Sequence, residues 1–223
     1  MSASLSPIHT WMYQKIAYQE RLLAALGQTA VRSGWRTEAQ LKEAGIGETL
    51  PPMEQVIDPD DIHGSLQGMI DWAEPRLASF VTGILTEDSA RLSALEETAF
   101  RFGVVVFSEI RDQEPAGDFS FAVGLMPGSG AGEEATELYR KISDVLLNGM
   151  PCDRVVRITE QTPDRLSWEY TADLHEPYWT AAGGDVRWFH TLRRSLVRGM
   201  LDSTDFTLTG DDWSHCSLVR KSD

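Results

Sequence analysis

Three segments in the last third of the chain hold side chains that can do chemistry. The first is Asp173-Leu174-His175-Glu176-Pro177-Tyr178-Trp179, which puts a carboxylate, an imidazole and two aromatics just after a predicted strand. A loop at a strand end is aimed by the scaffold beneath it, and histidine moves protons near neutral pH. The second is a helix-forming stretch with Trp188, His190, Arg193 and Arg194. A guanidinium is a planar fork that matches a carboxylate, so one of these arginines could hold an acidic substrate. The third is Gly210-Asp211-Asp212-Trp213-Ser214-His215-Cys216. A thiol with a nearby imidazole can form a thiolate and a proton shuttle. Adjacent strand residues point to opposite faces, so His215 does not face Cys216, and His175 or His190 is the better partner.

The candidate catalytic residues are therefore Cys216, His175, Asp173 and His190. Arg194, Arg193, Tyr178, Trp179 and Trp188 are the candidate substrate contacts. Each has a plainer reading. Tyr178 and Trp179 could be core anchors, Cys216 a small buried hydrophobe, and the arginines a solvated helix face.

Other chemistries fit less well. The five histidines are scattered and there is no CxxC pair, so no metal site is expected. Gly128 to Gly132 lacks the following Lys-Ser/Thr of a phosphate loop, and Glu133-Glu134 would repel phosphate. No cofactor is expected. Cys152, after Pro151, reads as structural.

Composition narrows the classes further. The net charge of −14 disfavours nucleic-acid and anionic-membrane partners. Against it, Arg187, Arg193, Arg194 and Arg198 form a local basic cluster that could receive a carboxylate. Hydrophobic residues make up 42% of the chain, enough for a core, with no apolar run long enough to cross a membrane. The start, Met1-Ser2-Ala3-Ser4-Leu5, has no basic or apolar leader, so the cytoplasm is the expected compartment. Only two cysteines fit a reducing setting. The expected partner is a small carboxylate-bearing molecule, and a homodimer stays open.

The elements that must position these residues read as α+β: a helical N-terminal half, then an antiparallel sheet mixed with helices. Residues 1–85 form the helical region and 86–223 the core with the site. Ile8 to Gly27 has helical apolar spacing, with Gly27 as a stop. Thr37 is an N-cap. Asp58-Pro59-Asp60-Asp61 opens a helix with Pro59 in its first turn, and Pro75 kinks or ends that helix. Thr86-Glu87-Asp88 begins another. Gly103 to Phe107 is either a strand or the end of that helix, and Asp118 to Gly124 reads as a strand or extended arm. A helix spans Glu133 to Asn148. Asp153–Glu160 and Arg165–Thr171 make a hairpin. Val186 to Leu201 is a helix, and Phe206–Leu208 and Ser214–Val219 are closing strands.

This order of elements, ending in Thr207 to Leu218 with Gly210-Asp211 and Cys216, resembles the L-2-amino-thiazoline-4-carboxylic acid hydrolase-like family over roughly residues 90–220. Here one extra residue separates Gly-Asp from Cys, and Leu218 stands where members carry an aromatic. Thr171-Ala172-Asp173 stands where they carry a cysteine. The resemblance implies water attack on a C=N bond of a small cyclic, carboxylate-bearing substrate; the expected setting of such an enzyme is specialised metabolism. It assigns proton handling to the acidic loop and His175, carboxylate binding to an arginine, and the role of nucleophile or pocket wall to Cys216. Two other classes stay open on the residues alone: a non-catalytic ligand-binding or sensor module, and an interaction protein that uses its N-terminal helices.

Overall fold

Helix α1 (Pro7–Arg32) begins with proline in its first turn, where the missing N–H has no helical partner to lose. Gly27 does not stop it. Its bare face lies against Leu41 and Ile46, and the helix runs five residues further. These contacts belong to a computed structural model, which describes residues 5–113, 117–126, 134–210 and 212–222. The glycine-rich stretch 128–132 and Asp211 lie outside the described residues.

Thr37 caps α2 (Glu38–Glu43): its hydroxyl accepts from the Gln40 N–H, and Gln40 accepts from the Thr37 N–H. The short α3 (Met53–Val56) follows the two prolines. Helix α4 (Ile62–Leu85) opens on Asp61, whose carboxylate accepts from the Gly64 N–H at 2.9 Å. Pro59 therefore precedes the helix and is not in its first turn. Pro75 sits inside α4 without ending it. Thr86 closes α4 where a new helix was expected to open. Asp88 then caps a 3-10 turn at Ser89–Arg91, and α5 (Leu92–Ile110) follows. Gly103 to Phe107 belong to α5, because Leu95, Ala99, Phe102, Val106 and Ile110 continue one buried helical stripe. Asp118 to Gly124 is not a strand or arm. The Asp118 carboxylate accepts from the Ser120 N–H at 3.0 Å and curls the chain into a 3-10 turn, Ser120–Val123, which ends at Gly124 with φ +81.

Helix α6 (Glu134–Val145) leads to the hairpin β1 (Val156–Thr162) and β2 (Arg165–Tyr170), joined through Pro163-Asp164. Helices α7 (Glu176–Ala181) and α8 (Val186–Met200) precede strands β3 (Phe206–Thr209) and β4 (His215–Arg220). The four strands pair antiparallel in the order β1-β2-β4-β3. The fold is α+β, a helical N-terminal region followed by this sheet and its helices. The buried apolar residues of both regions join in one cluster. Helices α5 and α8 approach closely at two glycines: a Cβ at Gly103 would overlap the Leu196 carbonyl, and one at Gly199 the Phe100 carbonyl. This close approach fixes α8 against the N-terminal region. Among the described residues, no helix is long and apolar enough to cross a membrane.

Behind α6 lies a buried cation. Lys15 is 4% exposed, and its ammonium sits 3.5 Å from the centroid of the Trp11 ring. Burial pulls its pKa from 10.5 down to about 7, although Asp144 pulls it up; Arg193 adds to the fall. Above pH 7 the unfolded chain holds a proton that the folded chain has released. Stability from this group is fully present above pH 10.5, and is lost as pH falls towards 7. Wild type should therefore gain on the order of 2–3 kcal/mol from this residue between about pH 7 and pH 9.5. Lys15→Met should lack that gain in urea unfolding. Equal slopes in the two proteins would refute the assignment.

Candidate functional site

One face of α8 carries Arg187, His190, Thr191, Arg194 and Val197, at spacings of three and four residues. This face meets the sheet across a cavity of about 470 Å³. That is the size of a small-molecule site. The opposite wall is largely apolar and aromatic, formed by Leu146, Trp168, Tyr170, Leu208, Trp213 and Cys216. Trp168 and Cys216 are direct cross-strand partners, so both side chains present the same face of the sheet. His215 lies on the other face, near Glu169 and Asp212.

His190 is the best-placed proton carrier. Its Nε2 lies 2.8 Å from Asp173 Oδ2. The other Asp173 oxygen accepts the N–H groups of His175 and Glu176 at the start of α7. Burial pushes the Asp173 carboxyl up, but the bonds from His190 and His175 outweigh it and leave the group below the usual carboxylate range. An ionised carboxylate can only accept, so Nε2 carries the proton and Nδ1 keeps the basic lone pair. Nδ1 has no protein hydrogen-bond partner among the described residues. The imidazole also stacks on Trp213, with centroids 5.0 Å apart and an 11° tilt.

His175 sits differently. It is 5% exposed, with both ring nitrogens engaged: Nδ1 is 3.1 Å from Glu74 Oε2, and Nε2 is 3.3 Å from an Arg193 nitrogen. Arginine only donates, so Nε2 accepts and Nδ1–H donates to Glu74. This tautomer leaves His175 no lone pair for proton transfer, and its place is a bridge between α4 and Arg193. Arg193 also donates to Asn148 and to the Tyr170 hydroxyl at 2.9 Å. It is a fixed cation in the cavity wall. Arg194 donates one bond to the Gly210 carbonyl at 3.0 Å, and Arg187 pairs with Asp185 near the mouth. Burial pushes the Cys216 thiol above its ordinary value, against the pull of Arg193 and Arg194. The resting group is a neutral thiol, 3.8 Å from the Trp213 carbonyl.

Comparison with protein-family models, curated proteins and solved structures returns no match.

Of the residues singled out in the sequence, the fold brings Asp173, His175, His190, Arg193, Arg194 and Cys216 to this cavity and its immediate wall. It takes three aromatics elsewhere. Trp179 is 0% exposed, packed against Phe189 and Trp188. The Tyr178 hydroxyl donates to Asp71 on α4 at 2.7 Å. None of Tyr178, Trp179 and Trp188 borders the cavity. The carboxylate Glu74, 2% exposed, and the hydroxyl of Tyr170 were not singled out. Glu74 does leave a trace in the sequence: with Ile70, Ala73 and Leu77 it shares one helical stripe, so an acid stands among buried apolar residues. Among the described residues no group of three or more metal-ligating side chains gathers.

Proposed function

We propose that the protein is a hydrolase of a small, carboxylate-bearing molecule with a C=N or C–N bond in a ring, acting in the cytoplasm in specialised metabolism. The observation that carries this reading is His190: one ring nitrogen held by Asp173, the other unspent, in the wall of an apolar cavity that also presents Arg187 and Arg194. A carboxylate-oriented imidazole is the arrangement of a general base. The resemblance to the thiazoline-carboxylate hydrolases supports the same bond type, and two unpaired cysteines suit a reducing compartment.

In this reading the substrate carboxylate meets Arg194 and Arg187, and its ring lies against Trp213, Tyr170 and Trp168. His190 Nδ1 takes a proton as water oxygen bonds to the C=N carbon, and the π pair moves to nitrogen. His190 returns that proton to the nitrogen. Collapse to the open-chain carbonyl breaks a ring carbon–heteroatom bond, and the remaining water proton passes through His190 to the leaving atom. Cys216 serves as a wall of the cavity, since its thiol is held neutral.

The test is incubation with 2-amino-thiazoline-4-carboxylate and related cyclic amidine carboxylates in ¹⁸O water, followed by mass spectrometry. The expected product gains one water and one ¹⁸O atom. Saturable binding without turnover would replace this reading with that of a ligand-binding protein. Neither binding nor turnover across the panel would remove the substrate class.

A further inference from the structure

Behind Tyr170, His190, Arg193 and Trp213 lies a second space of about 20 Å³, and these four residues border both it and the large cavity. A water molecule needs at least about 10–15 Å³ and two to four polar partners. The small space meets the first condition and is far too small for an organic substrate.

For the second, three residues at its wall carry unspent polar groups. Tyr170 Oη accepts from Arg193 and keeps its own proton to donate. Asn148 uses its carbonyl oxygen on Arg193, which leaves its amide N–H groups. His190 spends Nε2 on Asp173 and retains Nδ1 as an acceptor. All three residues border the chamber. Two donors and one acceptor match the two lone pairs and a proton of a single water.

We propose that this chamber seats the water that His190 deprotonates, and that the large cavity holds only the organic substrate. The inference rests on the hydrolase reading and supplies the place of its second reactant. As the water leaves the chamber, its oxygen bonds to the C=N carbon, the π pair goes to nitrogen, and the proton goes to His190 Nδ1. The two spaces share Tyr170, His190, Arg193 and Trp213, so a water in the smaller one lies beside the base while an apolar ligand fills the larger.

Val155 and Ala172 border the chamber but not the main cavity. Val155→Ile adds a methylene to the small space, and Ala172→Val is a second filling variant should the first fold poorly. Val155→Ala enlarges the space. NMR cross-relaxation between water and isotope-labelled protein should show one long-lived water at the His190 and Tyr170 ring protons in the wild type and in Val155→Ala. A filling variant that folds should lose it. With 2-amino-thiazoline-4-carboxylate as probe, that variant should also lose at least about tenfold in kcat, with KM within about twofold. No long-lived water in wild type, or a lost water with kcat unchanged, overturns the proposal. A water that disappears on filling, in a protein that binds the panel without turnover, sinks the hydrolase reading and the catalytic role with it, and leaves a hydration site.

Discussion

Asp173→Asn should lower kcat by about 10²–10⁴-fold while leaving KM within a few-fold, because it reverses the tautomer of the base. The reasoning follows the hydrogen bonds around Asp173. Its Oδ1 accepts from the His175 N–H at 2.9 Å and the Glu176 N–H at 3.3 Å. In the asparagine variant these donors hold the amide oxygen, and the NH2 group turns to His190. His190 Nε2 must then accept, and the ring proton moves to Nδ1. The nitrogen that should take the proton from water becomes a donor. Volume and ring position hardly change, so the large cavity should still bind. Two measurements check this. Steady-state kinetics should put the loss in kcat. ¹⁵N spectra of the His190 ring should show the two nitrogens exchanging their protonated and unprotonated signatures. An unchanged tautomer with unchanged kcat would remove His190–Asp173 from the reaction.

How far the sequence leads to this site depends on which forces set each element. The hairpin and α8 follow from local signals. Pro163-Asp164 turns the chain between a β-branched run and a run with alternating Leu166, Trp168 and Tyr170, and Asp185 caps a helix whose polar face is spaced at 187, 190, 191 and 194. Strand alternation alone separates His215 from Cys216. Where local signals compete, the sequence misleads. Asp118 to Gly124 alternates like a strand, yet the Asp118 carboxylate accepts from both the N–H and the hydroxyl of Ser120 and bends it into a turn. Tyr178 and Trp179 look like site aromatics, but α7 is docked on α4, which draws one into the core and ties the other to Asp71. The pairings of Glu74 with His175, and of Asn148 and Tyr170 with Arg193, are long-range. They depend on how α4, α6, the sheet and α8 pack, and no spacing along the chain encodes that.

Glu74→Ala should cost about 2–4 kcal/mol of stability, as expected when a buried donor loses its acceptor and a void opens beside it. Glu74 and Arg193 are joined through the imidazole of His175, with contacts of 3.1 Å and 3.3 Å, and Glu74 is 2% exposed. Alanine leaves His175 Nδ1–H without an acceptor, and leaves the Arg193 guanidinium without its nearest bridged anion. It also opens a void on the core side of α4. Glu74→Gln keeps an acceptor at nearly the same place and loses only the charge, so it should cost less, about 1–2 kcal/mol. Urea unfolding of the three proteins at neutral pH gives both differences. The order alanine, glutamine, wild type is required by the bridge. If alanine costs under about 1 kcal/mol, the bridge is not holding Arg193, and the rigidity assigned to that wall of the cavity is wrong. If it costs the full amount while glutamine is near wild type, hydrogen bonding to His175 matters more than the charge, and α4 positions the site by geometry alone.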